Sequence, residues 1–231
     1  MNRTALAGLL REIGPAALAG LVGAVVLLGL FAKLSEEVFS NEITSLDNNS
    51  SLWVHSFATA PLDAFFNAVS NAGGPVGVVA LTIASFALLL WHKHRRDAWR
   101  LVIVVVGGAI LNQVLKLLFH RSRPDLWPAA HVVGFSFPSG HATLAFCLFG
   151  MFIWLGWRHF TSTPARVGWA ALLSLLILLV GLSRIYLGAH FLSDVVAGYL
   201  SAGVWLASVL SGSQILYQIR GQGTNRQAPS R

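Results

Sequence analysis

Residues 167–194 read VGWAALLSLLILLVGLSRIYLGAHFLSD, and this stretch decides the fold. Its first part, 167–183, carries no charge and is apolar enough to enter a bilayer. A polar cluster follows and contains Ser183, Arg184, His190 and Asp194. A second charge-free run, 195–217, comes directly after it. Charged and imidazole side chains beside a membrane span are costly to place, so they mark functional sites. The stretch therefore predicts two membrane helices with a functional cluster where they meet.

The same pattern extends over the whole 231-residue chain, which is 55% hydrophobic and only 11% charged. Such a composition lies outside the range of ordinary soluble domains. Its apolar blocks approach the roughly 17–25 residues that a membrane-spanning helix needs. The six runs are 13–32, 73–91, 101–119, 142–157, 167–183 and 195–217. The sequence predicts an all-α fold, a six-transmembrane-helix bundle in one domain over 1–219, with a disordered cytoplasmic tail at 220–231.

Lysine and arginine residues divide unevenly between the two faces that six spans define. Eleven of the 16 fall on the side of the two termini, among them Arg3, Arg11 and Arg231. The positive-inside rule places that side in the cytoplasm of a multi-pass cell membrane protein. The net charge of +7 is then explained by topology, and no nucleic acid partner is expected. The first run has about 20 apolar residues, more than the 7–15 of a signal-peptide core, so we expect it to stay as a span.

Residues 34–72 form the longest segment outside the predicted spans and mix apolar residues with acids and amides. This pattern predicts one or two short amphipathic helices at the membrane interface, between spans one and two. Pro61 suits the first turn of the second helix, and Gly73 with Gly74 suits its end. The segment is either a surface-packed loop or a rim that guides lipid towards the site, and the pattern leaves both open.

Two cations stand at the end of the third run. Lys116 and Arg123 are seven residues apart, about two helical turns, so a helix that persisted would carry both on one face. Pro124 disfavours helical geometry at Arg123, so we expect the helix to end there. The point charge of lysine and the planar fork of arginine suit phosphate oxygens. Cations that snorkel from a span end would give the same pattern.

The sequence Pro-Ser-Gly-His, Pro138 to His141, precedes the fourth run. Ser139 and Gly140 are expected at a helix N-terminus, where free N–H groups and the helix dipole favour an anion. Gly140 permits close approach of the backbone, and Ser139 adds a hydroxyl donor. His141 would stand beside a bound phosphate, placed to protonate a leaving oxygen. A plain helix start with a chance histidine is the alternative.

The third cluster pairs an imidazole with a carboxylate. His190 and Asp194 are four positions apart, so they would be adjacent on one helix face. A carboxylate so placed orients the ring and leaves its other nitrogen unprotonated as a nucleophile. Arg184 adds positive charge for a phosphoryl group, and Ser183 adds a further donor. An interfacial hydrogen bond without chemistry is the alternative.

The sequence predicts neither a metal ion nor another cofactor. It contains no His-Glu-x-x-His pattern, and Cys147 is its single cysteine. At least three cations belong to the predicted site and would repel a divalent ion. His92 and His94 are surrounded by arginines, so no metal is expected there either. Alternation of the spans places all three clusters on one membrane face, the extracytoplasmic one.

In order and spacing, the clusters resemble the type 2 phosphatidic acid phosphatase family, which includes membrane lipid phosphatases and soluble vanadium haloperoxidases. The family pattern is Lys, six residues, Arg-Pro; then Pro-Ser-Gly-His; then Ser-Arg, five residues, His, three residues, Asp. Every motif position is matched here. The resemblance implies that His190 attacks phosphorus with support from Asp194, and that His141 protonates the leaving oxygen and then activates water. It assigns phosphate binding to Lys116, Arg123, Ser139, Gly140 and Arg184.

The sequence thus predicts an integral membrane phosphatase that hydrolyses a lipid phosphate monoester or diphosphate through a phosphohistidine. The resemblance offers phosphatidylglycerol phosphate, phosphatidic acid and undecaprenyl pyrophosphate as substrates, and membrane lipids are the expected partners. Two alternatives stay open: a lipid phosphotransferase that passes the phosphoryl group to another lipid, and a non-enzymatic lipid-binding membrane protein. His120 and Arg121 fall outside the family pattern and receive no role.

Overall fold

The computed structural model describes residues 14–125 and 134–226, and within these ranges the chain forms helices and turns but no strand. The predicted all-α fold is confirmed. In chain order the helices are α1 (Pro15–Phe39), α2 (Thr44–His55), α3 (Ala60–Ala72), α4 (Pro75–Trp91), α5 (Arg95–Phe119), α6 (Gly140–His159), α7 (Thr163–Tyr186) and α8 (Leu192–Arg226). Three arginines used in the charge count, Arg3, Arg11 and Arg231, lie outside the described residues.

Within residues 14–125 and 134–226, five helices are long and apolar enough to cross a membrane: α1, α5, α6, α7 and α8. Helix α4 has 17 residues and falls short of such a span by itself. It passes the same test together with α3, from which it is bent by 47°. The described part of the chain therefore contains five candidate spans, or the six that the sequence predicts when the bent pair counts as one.

Helix α6 is the centre of the bundle, because it packs against α4, α5, α7 and α8. Of the 18-residue apolar stretch of α6, 44% is buried inside the protein. The corresponding stretch of α1 is 17% buried, because α1 lies at the edge of the bundle and packs mainly along α8. Large apolar side chains such as Val25, Val76 and Leu118 are exposed on the outside. Exposed apolar side chains all around long helices are what a bilayer environment requires.

The predicted interfacial segment, residues 34–72, contains the two short helices that its pattern predicts, α2 and α3. Helix α2 buries Asp47 and Ser51 while it exposes Leu46 and Trp53. A polar inner face with an apolar outer face suits a helix that lies at the membrane interface. Helix α3 has a proline in its first turn and a glycine at its C-cap, as predicted.

Two helix boundaries differ from the expected positions. Helix α5 ends at Phe119, where His120 takes a left-handed conformation with φ 50°, so the helix does not reach Arg123. The ring of His120 packs against Phe135, with centroids 4.4 Å apart, in the chain that returns towards α6. Helix α8 continues to Arg226 and so enters the predicted tail, whose residues 227–231 lie outside the described ranges. The division into one domain and a tail stays a prediction.

The start of α8 also differs, since His190 lies in the turn before the helix. The carboxylate of Asp194 accepts a hydrogen bond from the backbone N–H of Phe191 at 3.0 Å. An acidic side chain in the first turn that bonds back to the N-cap N–H is half of a capping box. This bond begins the helix at Leu192, so the imidazole and the carboxylate meet through a cap instead of sharing one helix face.

Candidate active site

The predicted site residues meet at one end of the bundle, where α5 and α7 end and α6 and α8 begin. A cavity of about 290 Å³ lies there. Its lining includes Lys116, Arg123, Gly140, His141, Arg184 and His190. Ser139 and Asp194 are fully buried beside them. Their backbones are joined, because the N–H of Ser139 donates to the carbonyl of Asp194 at 2.9 Å. The structure therefore brings all eight predicted residues to one place.

The hydrogen bonds of His190 define its tautomer. The Nη1 atom of Arg123 lies 3.2 Å from Nε2 of His190. A guanidinium can only donate, so Nε2 accepts and the ring proton is on Nδ1. Nδ1 faces Asp194, whose Oδ2 is 3.4 Å away. The unprotonated nitrogen of the ring is thus the one directed towards the cations of the cavity.

The contact between His190 and Asp194 is loose in this conformation. At 3.4 Å the atoms are within ion-pair range, but the buried Nδ1 makes no well-formed hydrogen bond. Catalytic hydrogen bonds are often long before substrate binds and tighten afterwards. Burial lowers the pKa of His190 to about 4, although the nearby carboxylate of Asp194 opposes the shift. The imidazole is therefore neutral near pH 7, as a nucleophile must be.

Three cations border the cavity, and each is held by a neighbour. Arg123 donates to the carbonyls of Ala189 at 2.7 Å and Gly134 at 2.9 Å. Lys116 Nζ donates to the carbonyl of Phe135, and Arg184 Nη1 donates to Ser70 Oγ. Burial lowers the pKa of Arg123, with Asp194 opposing, yet arginine stays protonated at any physiological pH. The cavity therefore has the positive charge that a phosphate group needs.

Four buried side-chain polar atoms have no hydrogen-bond partner within the described ranges, Ser51 Oγ, Ser139 Oγ, Arg184 Nε and His190 Nδ1, and the last three belong to the site. Buried polar groups are rarely left unbonded, and such groups at a cavity point to a ligand. Gly140 is the first residue of helix α6, and Ser139, the N-cap residue, makes no side-chain hydrogen bond to the helix. The first-turn N–H groups and the positive end of the helix dipole thus face the cavity.

Gly140 also fits its position sterically. A Cβ atom built there would lie 3.2 Å from Oδ1 of Asn112, tighter than nearly all real contacts. Asn112 itself anchors the motif, because its amide donates to the carbonyl of Pro138 at 3.2 Å and to Thr143 Oγ1 at 3.0 Å. A side chain at position 140 would therefore push against α5 and narrow the cavity.

One expected donor is not available to a ligand. The hydroxyl of Ser183 donates to the carbonyl of Val180 at 2.6 Å and does not line the cavity. A serine near the end of a helix commonly bonds back to its own backbone, which is the reason here. Asn112 and Arg121, which motif reasoning did not select, instead bond to the motif residues Pro138 and Asp194, and Asp47 bonds to Arg121. The signal was weak: one of several acids in an interfacial segment, an amide one turn before Lys116, and an arginine without a motif position.

Metal-ligand geometry occurs at the opposite end of the bundle. Within the described parts of the chain, one group of three donors lies close enough to hold an ion: His94, Asp97 and His159, with ligand atoms within 4.8 Å of one another. The carboxylate of Asp97 already pairs with Arg100 at 2.8 Å and lies 3.8 Å from Arg158. These arginines compete with a cation for the carboxylate, so the group gives no support to a metal site.

Comparison with known proteins links this geometry to a family. A family model described as the PAP2 superfamily matches residues 97–217. Phosphatidylglycerophosphatase B of Bacillus subtilis (strain 168) is 28% identical over 190 residues, which cover 81% of this chain and 93% of that protein. Lipid A 1-phosphatase of Rhizobium johnstonii is 32% identical over 117 residues, covering 46% of this chain and 43% of that protein.

A solved structure shares the architecture. The crystal structure of a transmembrane PAP2-type phosphatidylglycerolphosphate phosphatase from Bacillus subtilis superposes with a TM-score of 0.75 at 27% sequence identity. The match covers 83% of this chain and 95% of that one. The chain is thus similar along most of its length to a membrane phosphatase. Residues 97–217, which the family model matches, contain every motif residue of the site.

Proposed function

The chain belongs to the PAP2 superfamily, and we propose that it hydrolyses a phosphate monoester or diphosphate on a membrane lipid through a phosphohistidine at His190. That it is a multi-pass membrane protein and a phosphoric ester hydrolase follows from the family and the helices. The observation that carries the proposal is the shared cavity, in which two histidines face three cations. The proposed mechanism uses these side chains together with Asp194 and the N-terminus of α6, and it needs no metal ion.

In the first proposed step, Nε2 of His190 attacks phosphorus. Arg123, which donates to Nε2 at 3.2 Å, must first transfer that bond to a phosphate oxygen. The new N–P bond forms while the bond from phosphorus to the lipid oxygen breaks, and His141 protonates that oxygen. Lys116, Arg184 and the N-terminus of α6 stabilise the charge on the equatorial oxygens. The dephosphorylated lipid leaves.

The second proposed step releases phosphate. His141, now neutral, takes a proton from a water molecule, which attacks phosphorus as the N–P bond breaks. Asp194 stabilises the positive charge that the phosphorylated ring of His190 carries and holds its Nδ1 proton, and this charge is lost when the N–P bond breaks. The imidazole returns to the neutral tautomer in which it began, and inorganic phosphate leaves. A diphosphate substrate would give a lipid monophosphate in the first step and the same phosphoenzyme.

A lipid headgroup fits the shape of the cavity. About 290 Å³ accommodates a phosphorylated headgroup but not acyl chains. Beyond the cations, the lining continues to Ala109 and Leu144, which lie further along the spans α5 and α6. Acyl or prenyl chains could thus remain in the bilayer while the phosphate meets the cations. Phosphatidylglycerol phosphate is the first substrate to test, with phosphatidic acid and undecaprenyl pyrophosphate next.

Phosphate release from purified lipids tests the proposal. With the protein in detergent, we expect release of inorganic phosphate from one or more of the three substrates and none from phosphatidylglycerol, a diester. EDTA should leave the rate unchanged within about two-fold, because the five proposed phosphate-binding groups and two histidines supply the charge and protons. Loss of activity in EDTA with recovery in magnesium or zinc would contradict the metal-independent mechanism. A phosphorylated acceptor lipid in place of free phosphate would identify a phosphotransferase.

We also propose that both termini are cytoplasmic and that the cavity opens on the extracytoplasmic side. The uneven division of lysine and arginine supports this orientation. The single native cysteine, Cys147, is buried and should give little background labelling. Asn49→Cys, on α2, should react with a membrane-impermeant maleimide added to intact cells. Thr161→Cys, between α6 and α7, should react only after permeabilisation. The reverse pattern would place the cavity in the cytoplasm.

A further inference from the structure

An acid outside the motifs is buried beside the site. Asp47, on the interfacial helix α2, is only 1% exposed. Its Oδ1 accepts from the backbone N–H of Ser193 at 2.9 Å, and its Oδ2 accepts from Ser193 Oγ at 2.5 Å and from Arg121 at 2.7 Å. Buried carboxylates are rare unless paired, and this one bonds only to residues next to the proposed nucleophile and its partner.

Arg121 connects the two buried acids. Its Nη2 donates to Asp47, and its Nη1 donates to Oδ1 of Asp194 at 2.6 Å and to Ser193 Oγ at 2.8 Å. The guanidinium lies over the ring of Phe191, 4.5 Å from its centroid. A planar fork held on both sides has little freedom to rotate. The position of Arg121 is therefore set by α2 on one side and by the start of α8 on the other.

This network controls which oxygen of Asp194 meets the imidazole. Arg121 engages Oδ1, which leaves Oδ2 for Phe191 N–H and for Nδ1 of His190. Without Arg121, either oxygen could turn towards the ring, and two buried carboxylates would lose the cation between them. Without Asp47, the fork would lose one of its two anchors and the first turn of α8 would lose a cap at Ser193.

We propose that Asp47 and Arg121 are positioning residues that, through Asp194, set the ring of His190 for attack on phosphorus. The inference rests on the proposed function and extends it to the interfacial helix. The other buried positions of α2 fit this account, since Ser51 is buried on the same face while Leu52 and Trp53 are exposed. The helix thus presents apolar side chains to the membrane interface and its acid to the site.

The kinetic test compares Asp47→Asn, Arg121→Gln and Arg121→Lys with Glu42→Gln. Glu42 is an exposed acid just before α2 and serves as the matched control. A misplaced nucleophile costs about 10- to 100-fold, so we expect kcat to fall by that factor in Asp47→Asn and Arg121→Gln. KM should stay within about two-fold, because neither residue lines the cavity. Arg121→Lys keeps the charge but loses the planar fork, so its kcat should lie between those of Arg121→Gln and the control.

The pH dependence separates positioning from a merely structural role. Near His190 stand the charged or titratable side chains of Lys116, Arg123, His141, Arg184 and Asp194. Arg121→Gln removes the cation that neutralises Asp194, so the ring of His190 should hold its proton more strongly. In the profile of kcat against pH, the acidic limb should then move to higher pH. Asp47→Asn removes a negative charge and should move that limb down or leave it in place.

Two further measurements decide the outcome. The double variant Asp47→Asn/Arg121→Gln keeps the net charge of the pair at zero, as in the wild type. Its fold-loss in kcat should therefore be smaller than the product of the two single fold-losses. The ¹⁵N shifts of His190 report ring protonation in each variant even where turnover is undetectable, so a failed assay of the wild type would count against the proposed function alone. The inference is overturned if folded Asp47→Asn and Arg121→Gln match the control in kcat and in ring titration. It is also overturned if activity falls only in proportion to the folded fraction.

Discussion

Replacement of His190 by Ala is expected to lower kcat by about 10⁴-fold or more, since the covalent route to phosphate release needs its Nε2 atom. Every other group of the cavity would remain, so substrate should still bind with nearly unchanged affinity. The measurement is phosphate release in detergent, together with lipid binding to the purified variant. This combination, binding without turnover, distinguishes a lost nucleophile from a damaged pocket.

The matched control for His190→Ala is His92→Ala. His92 is exposed at the other end of the bundle, at the C-cap of α4. It should retain wild-type kcat, because it contacts nothing in the cavity. Both variants should elute as monodisperse protein with similar unfolding temperatures. Turnover within about ten-fold of wild type in folded His190→Ala would remove this residue from the role of nucleophile.

His141→Asn should affect the two half-reactions differently, depending on the leaving group. For a lipid alcohol, a poor leaving group, loss of the general acid should slow the first step by about 10²- to 10⁴-fold. For p-nitrophenyl phosphate, whose leaving group needs no proton, the first step should be nearly normal. The second step should be slow for both, because water lacks its general base. The phosphoenzyme should therefore accumulate with the aryl substrate.

The measurement for His141→Asn is a pre-steady-state burst. Rapid release of p-nitrophenol that approaches one equivalent per site, followed by slow turnover, is the expected trace. Wild-type protein should show no burst if its second step is fast. Equal losses on lipid and aryl substrates, with no burst, would show that His141 does not act as an acid in the first step.

The spans could be predicted from sequence because bilayer thickness sets a local length that six apolar runs approach, five of them free of charge and one with Lys116 near its end. The ends of helices were less predictable. Helix α5 stops at Phe119, four residues before Arg123, because His120 takes a left-handed turn and packs on Phe135. Helix α8 starts after His190 because Asp194 caps it. The first cause is a contact between two rings, and the second is a hydrogen bond between a side chain and the backbone. Hydropathy records neither.

Some residues of the site could likewise be predicted from sequence, and others could not. His141, His190 and Arg184 were identifiable because each is a costly residue at the end of an apolar run. Asp47 was not, since its value comes from Arg121, 74 residues away along the chain. No periodicity or motif links residues at that separation. Ser183 is an error of the opposite kind. Its motif position predicted a donor for the phosphate, but its hydroxyl donates to the backbone of its own helix.

The most direct test of the account is the location of phosphate on the enzyme during one turnover. Wild-type protein and His141→Asn are mixed with p-nitrophenyl phosphate, quenched in alkali, in which phosphohistidine is stable, and digested for mass spectrometry. The account predicts a phosphoryl group on His190, transient in wild type and persistent in the variant. Phosphate bound to another residue, or normal release of phosphate with no labelled enzyme at any time, would contradict it.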